Sequence, residues 1–249
     1  MCLVLFAFDP DSRHPLVVAA NRDEFYARPA RTAQYWEDRP DLLAGRDLSA
    51  GGTWLGVSRT GRFATVTNFA EEGPSEAPLS RGLLTEGFLS SNANAHEFAH
   101  GLHTAAYRGF NLLLFDGERL VYTSNRGHSE DLAPGLYGLA NAELGATWPK
   151  VLRGRTALAA AMADSANLNG LIALLADQTV PPDQELPRRG RPLELERRVA
   201  PCFIAGDDYG TRASTAVIIG RDRVLFAEQE YFARGRPGRR ATFEFAIEP

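Results

Sequence analysis

A chain of 249 residues, 44% of them hydrophobic, can bury a full core as one large domain or two small ones. Its 31 acidic residues against 27 Lys plus Arg give a formal net charge of −4, which lacks the basic footprint of a nucleic-acid binder and directs attention to a small-molecule site. No stretch reaches the roughly 18 apolar residues of a membrane span, and Cys2 and Cys202 are too few for a disulfide framework, so the expectation is a cytoplasmic protein with reduced thiols.

The opening MCLVLFAFDP has no basic start, breaks its apolar run at Asp9-Pro10 and offers no small-residue cleavage site, so it reads as a strand and not as a secretory signal. CLVLFAF and PLVVAAN, on either side of the turn-forming DPDSRH, predict an antiparallel pair. Cys2 at the head of that pair has two readings. It is a small apolar residue starting a buried strand; or, once Met1 is removed, it carries a thiol and a free α-amine on one carbon, a nucleophile with its base attached. The second strand ends in AANRDEF, where alternation sends Asn21 and Asp23 to one face and Arg22 and Glu24 to the other. One of these polar pairs then lies near Cys2, and a carboxylate such as Asp23 is suited to hold the α-ammonium group. The alternative is an exposed strand end with a local arginine–acid pair.

Next, LLAGRDLSAGGTWLGV presents Arg46, Asp47, Gly51, Gly52, Thr53 and Trp54. Adjacent glycines permit positive φ and close approach to a ligand, or simply a tight turn. TWLGVS and RFATVTNF, split by Arg59-Thr60-Gly61, predict a second hairpin ending at Asn68. After the loop AEEGPSEAP the spacing becomes helical: Leu79, Leu83, Leu84 and Phe88 mark one helix, and Phe98, Leu102 and Ala105 a second behind an Asn94 cap. HEFAH on this second helix satisfies H-E-x-x-H, with His96 and His100 as zinc ligands and Glu97 as base. The wider pattern fails at Leu102 and Arg108, so the expectation is a helix face with the histidines at the surface and no metal.

GFNLLLFD and RLVYTSN, joined at Asp116-Gly117, predict strands, and GLYGLAN a third that ends at Asn141. Asn68 and Asn141 are amides at the ends of apolar strands, suitable as oxyanion donors and equally as strand-end caps. Helices are predicted from about Trp148 to Met162 and from Asn167 to Ala176. Lys150, the only lysine, is read as a compositional bias without a role. Residues 180–201, containing PPDQELPRRGRP, predict a lid, a binding loop or a disordered segment. CFIAG, STAVIIG, RVLFAEQEYF and ATFEFAIE return to strand, the last two bridged by a basic turn, ARGRPGRR, read as a solvated hairpin tip. Arg212, just before STAVIIG, has the planar fork to clamp a carboxylate or a developing anion. Cys202 is expected to be buried and inert, and Cys2 partly exposed in an electropositive setting. Strands, helix pair, strands, helix pair, strands together predict a single α+β domain over residues 1–249, two antiparallel sheets face to face with helices outside.

MC at the start, NRDE at 21–24, AGRD…GGTWLG at 44–56, TNF at 67–69, SRG at 80–82, GFNLL at 109–113, YTSN at 122–125, LAN…WPKV at 139–151 and YGTR-ST at 209–215 occur in that order over nearly the whole chain. Together they resemble the transport and Golgi organisation protein 2 family, also called the NRDE family. The resemblance implies the N-terminal nucleophile (Ntn) hydrolase fold, a four-layer αββα sandwich. It extends more distantly to penicillin V acylases and bile-salt hydrolases, whose mature chains begin with the catalytic cysteine. It implies hydrolysis of a small non-peptide amide or related acyl substrate, with Cys2 as nucleophile, Asp23 orienting the N-terminus, and Asn68 and Asn141 binding the oxyanion. Asn21, Arg22, Arg46, Trp54 and Arg212 are the substrate-side candidates, and no cofactor is implied. The acylases carry an arginine just before their Asn–x–Asp, where this chain has Ala20, so Arg22, Arg46 or Arg212 would supply the charge. The alternative on the same fold is a non-catalytic carrier of haem, acyl-CoA or other lipid.

Overall fold

The computed structural model describes residues 2–70, 77–163 and 166–248, which leaves most of the AEEGPSEAP loop outside the described residues. In chain order the first half runs β1 (Cys2–Phe8), β2 (Leu16–Phe25), β3 (Ala30–Trp36), β4 (Arg39–Asp47), β5 (Leu55–Ser58), β6 (Phe63–Asn68), α1 (Gly82–Leu89), α2 (Ala95–His100), β7 (Phe110–Phe115) and β8 (Leu120–Ser124). The second half runs β9 (Ser129–Asp131), β10 (Gly135–Leu139), α3 (Pro149–Ala163), α4 (Leu168–Leu174), α5 (Leu193–Val199), β11 (Tyr209–Ile219), β12 (Arg223–Phe232) and β13 (Arg236–Ala246). No helix among the described residues is long and apolar enough to cross a membrane.

The strands form two antiparallel sheets, ordered β10-β1-β2-β11-β12-β13 and β3-β4-β5-β6-β7-β8-β9. Period-two alternation builds the layers from these orders. In β1, Val4, Phe6 and Phe8 point between the sheets and meet Leu55, Val57, Phe63 and Phe115 of the second sheet. Leu3 and Leu5 point the other way and pack with Val151, Leu158 and Leu171 of α3 and α4. The outer face of the second sheet is covered by α1 and α2 through Leu84, Phe88, Ala95 and Ala99. The result is the α+β sandwich in four layers: helices, sheet, sheet, helices. Every large buried side chain removes apolar area from water at about 25 cal/mol per Å², and three separate apolar layers give each sheet face a partner.

Several expected elements differ from those observed. Strands β3 and β4 fall in a stretch for which the sequence predicts no element; their register is broken by irregularities on both sides of Gln34 and Tyr35, which hides the alternation. Helix α2 is capped as expected, the Asn94 side chain accepting from the Glu97 amide at 2.9 Å, but it ends at His100, and Leu102 packs from beyond it. In α1 the buried residues are Leu84, Thr85, Phe88 and Leu89, whereas Leu79 and Leu83 are exposed. The 180–201 stretch is ordered into a short 3-10 turn and α5, pinned by the buried Glu196 carboxylate on Arg189, whose guanidinium lies 4.6 Å over Trp148. Cys202, Phe203 and Ile204 of CFIAG are buried without joining a sheet. Their backbone is satisfied by side chains and loops instead: Cys202 O accepts from Asn21 Nδ2 at 2.9 Å, the Phe203 amide donates to Asp177 O at 2.8 Å and the Ile204 amide to Thr211 Oγ1 at 2.9 Å. The basic tip shrinks to a 3-10 turn at Ala233–Gly235, because β13 already begins at Arg236.

Candidate active site

Cys2 opens β1 directly opposite Arg22, so its side chain shares the interior face of the sheet with Val4 and Arg22, while Asn21 and Asp23 face the helices. Around this strand end converge the end of β4, the turn before β5, the end of β6, the segment after β10 and the start of β11.

On the interior face, Arg22 is 7% exposed, stacks 4.2 Å over the Trp54 ring and lies 3.3 Å from Asp47. Asp47 also accepts from Arg28 Nε at 2.7 Å and from the Ser49 and Ala50 amides at 2.9 Å. Burial works against the Asp47 anion, but Arg28 and these amides outweigh it and hold the carboxyl below its ordinary range. The AGRD and GGTW stretches make this arrangement possible. A Cβ on Gly45 would stand 2.3 Å from the Trp54 ring, so only glycine admits the indole. Gly52 has φ +72°, and a Cβ there would meet the Gly82 carbonyl carbon at 2.4 Å. Thr53 N donates to Gly82 O at 3.2 Å, which makes the GG and SRG stretches one joint.

On the helix face, Asn21 is fully committed. Its Nδ2 donates to Leu175 O at 3.0 Å and Cys202 O at 2.9 Å, and its Oδ1 accepts from Ser214 Oγ at 2.6 Å. It is a brace for the buried 202–204 segment. Asp23 is 4% exposed and accepts from Thr211 Oγ1 at 2.8 Å. Burial pushes its carboxyl above the ordinary range, opposed by the charge of the chain's amino terminus, then by Lys150, the Thr211 hydroxyl and Arg22.

The Cys2 nitrogen donates to Asn141 Oδ1 at 3.0 Å, and Asn141 Nδ2 donates to the Asn68 carbonyl at 2.7 Å. Both ends of the Asn141 amide are therefore engaged, while the Asn68 side chain is exposed toward the cleft. The 140–142 segment is itself held from β6, β7 and β8: Thr67 Oγ1 donates to Ala140 O at 2.8 Å, Asn111 Nδ2 to Ala142 O at 2.9 Å, and Tyr122 OH to Asn111 Oδ1 at 2.9 Å. These three supports were invisible as such in the sequence, although GFNLL and YTSN contain two of them.

Cys2, Arg22, Asp23, Trp54 and Asn68 line one cavity of about 450 Å³. A second, of about 420 Å³, shares Asn68, Arg81 and Arg108 with it and adds Asn141, Phe25, Phe69, Leu195, Tyr209, Arg191 and Arg198. Two expected arginines lie elsewhere. Arg46 forks onto Asp38 at 2.6 and 2.8 Å and stacks 4.1 Å over Trp36. Arg212 gives one nitrogen to the carbonyls of Phe25, Tyr26 and Arg28 at 3.0, 3.2 and 2.9 Å, and so clamps the turn after β2.

The thiols differ as well. Cys2 is partly exposed, whereas Cys202 is buried, donates to Leu175 O at 3.3 Å and has its thiol pushed up by burial to about 12. The HEFAH helix lies apart from both cavities: His96 bonds Asp131 at 3.0 Å, His100 bonds the His96 carbonyl at 2.9 Å, and no group of three or more His, Cys, Asp or Glu among the described residues is placed to hold a metal ion.

A family model described as Transport and Golgi organisation 2 matches residues 1–233. The Transport and Golgi organization protein 2 homolog of Bos taurus is 36% identical over 257 aligned residues, covering 92% of each chain, and that of Homo sapiens is 33% identical with the same coverage. Among solved structures, a C2A mutant of the conjugated bile acid hydrolase from Clostridium perfringens superposes with a TM-score of 0.55 at 11% identity, covering 98% of this chain and 92% of that one. A Caenorhabditis elegans N-acylethanolamine-hydrolyzing acid amidase ortholog gives a TM-score of 0.54 at 10% identity, covering 88% and 93%. These likenesses establish the Ntn-hydrolase fold.

Proposed function

The chain belongs to the Transport and Golgi organisation 2 family, and we propose that it is an N-terminal-cysteine hydrolase of a small non-peptide amide or related acyl substrate. One observation carries this reading: the Cys2 nitrogen is held at 3.0 Å by the Asn141 side chain, at a cavity of about 450 Å³ that Asp23 also lines. Removal of Met1 turns that nitrogen into an α-amine.

In the first step the Cys2 sulfur bonds to the substrate carbonyl carbon, the thiol proton passes to the α-amine, and the carbonyl electron pair moves onto oxygen. The Asn68 side chain faces the oxyanion. Because both ends of the Asn141 amide are engaged, its part is to aim the amine. Asp23 stabilises the ammonium form from the helix side. The adduct collapses as the carbon–nitrogen bond breaks, and the ammonium returns its proton to the leaving amine. Water then adds to the thioester with the α-amine as base, releasing a carboxylic acid and restoring the thiol. Arg22 and Trp54 wall the cavity, and Arg28 and Asp47 lock Arg22 in place.

The second reading, a carrier of haem, acyl-CoA or other lipid, is favoured by the adjoining cavity, where exposed Phe25 and Leu195 lie beside Arg191 and Arg198, a lining suited to an anionic amphiphile. Incubation of the purified protein with amides, thioesters and acyl-CoAs separates the two. The hydrolase turns over at least one class and loses turnover in Cys2→Ala; the carrier binds saturably without turnover and keeps binding in Cys2→Ala.

A further inference from the structure

The two cavities that meet at Asn68 differ in charge and in apolar lining. The Cys2 cavity carries the carboxylates of Asp23, Glu24 and Asp47. Among the described residues the adjoining one carries only that of Asp208, which is paired with Arg198. Arg81 and Arg108 belong to both cavities and do not distinguish them. What sets the second cavity apart is Arg191 together with Phe25 and Leu195, large apolar side chains left 54% and 39% exposed. Phe25 is braced edge-on by the Tyr209 ring at 5.0 Å.

Arg191 is fixed by its chain neighbours rather than by partners of its own. Gly190, at φ +73°, turns the chain between two arginines with different surroundings. Arg189, before the turn, is engaged by Glu196 and lies over Trp148. Arg191, after it, precedes Pro192 at the head of α5 and lines the cavity half-buried; among the described residues its guanidinium makes no hydrogen bond and no ion pair. A guanidinium beside apolar walls, with its donors available, recognises a carboxylate by its planar fork. An apolar body lying on Phe25 and Leu195 removes their surface from water. The cavity therefore fits a group that is apolar along its length and anionic at its end.

We propose that Arg191 is a specificity residue and that the acyl half of the substrate is an apolar chain ending in a carboxylate, with its carbonyl at Cys2 and Asn68, its chain against Phe25 and Leu195, and its far end on Arg191. The assignment rests on the reading of Cys2 as nucleophile. Charge then sorts the two halves of the substrate. The amine gains a proton as its bond to the carbonyl carbon breaks, and suits the cavity that holds Asp23, Glu24 and Asp47. The acyl half stays on Cys2 as a thioester until the oxygen of water joins its carbonyl carbon and a dicarboxylate is released. The substrate class is the half-amide of a dicarboxylic acid.

Two series of p-nitroanilides test this on the purified full chain: those of straight-chain monocarboxylic acids, and those of dicarboxylic acids of the same lengths with the second carboxyl left free. At its best length the dicarboxylic series is expected to have a kcat/KM higher by about tenfold or more, chiefly through KM, because a charge-assisted contact far from the reacting carbon favours ground and transition states alike. Arg191→Gln is expected to bring the ratio between the series close to one. Arg191→Lys, which keeps the charge without the fork, should restore part of it, and added salt should lower it in the parent. A parent that does not distinguish the series, or a ratio that Arg191→Gln leaves unchanged because both series lose equally, overturns the assignment. Titration calorimetry with the free acids reads the same contact without turnover. If Cys2 is acylated by neither series nor by any other amide or thioester, the nucleophile reading has failed, and binding decides Arg191 alone: tighter binding of the dicarboxylate that Arg191→Gln abolishes upholds the anion subsite, and equal binding of the two acids overturns it.

Discussion

Arg22 and Asp23 are neighbours in the chain, and strand alternation gives them opposite surroundings. Arg22 enters the interior between the sheets, where an indole face and Asp47, itself held by Arg28, complete its contacts. Asp23 enters the helix face, where burial opposes its charge while the Thr211 hydroxyl and the surrounding positive charge favour it. A polar residue whose contacts are complete supports a site. One whose charge state is contested is available for chemistry. The NRDE stretch does both, one residue apart.

The sharpest way to break this comparison is Asp23→Asn, which keeps the shape and removes the charge. Acylation of Cys2 should fall by roughly 10²–10⁴-fold, the range of a lost acid–base contribution, while the melting temperature stays near that of the parent. If the melting temperature falls and the acylation rate holds, Asp23 is structural like its neighbour.

On the interior face the expected effects are on stability. Glu228 in β12 is buried, accepts from the Ala33 amide of the other sheet at 2.6 Å and from Thr215 at 3.3 Å, and is raised by burial from 4.5 to about 7. A carboxyl raised in the folded state contributes its full stability below its unfolded value and loses it as pH rises through the folded one. Between pH 4.5 and 8 this one group should therefore weaken the fold by up to about 3 kcal/mol. Glu228→Gln, which can make both contacts uncharged, should flatten that decline in urea midpoints measured across the range.

Arg22→Met should cost about 2 kcal/mol in urea unfolding, less than a fully buried pair because Asp47 keeps Arg28. The smallest effect belongs to Arg46→Ala. Its partner Asp38 is half exposed, so less than about 0.5 kcal/mol is expected, with acylation unchanged. A large catalytic loss in this variant would return Arg46 to the site.

These differences mark what a single sequence carries. The layer order was legible because strands and helix pairs alternate in blocks, and the two faces of AANRDEF were legible because alternation is strict. The direction of a long side chain was not. Arg46, Arg212 and Arg22 are equivalent as letters, yet one forks onto Asp38, one clamps the carbonyls after β2 and one lines the cavity. The supports of the segment that carries Asn141 were hidden for another reason: Asn111 reaches Ala142 across 31 residues of chain and Tyr122 reaches Leu144 across 22, distances no local pattern encodes. CFIAG misled because its apolar run is buried by side-chain hydrogen bonds rather than by a ladder. Lys150 carried no signal at all, since nothing around WPKV distinguishes a buried lysine from a solvated one.

The central claim is that Cys2, freed of Met1, forms the covalent bond to substrate. Its most direct test is the mass of the N-terminal peptide after acid quench of the protein reacting with a thioester or amide that it turns over. The account predicts a peptide that begins at Cys2 and carries the acyl group, with Cys202 unmodified and no adduct in Cys2→Ala. Turnover by fully active protein that retains Met1, or an unmodified Cys2 with activity surviving in Cys2→Ala, would contradict it.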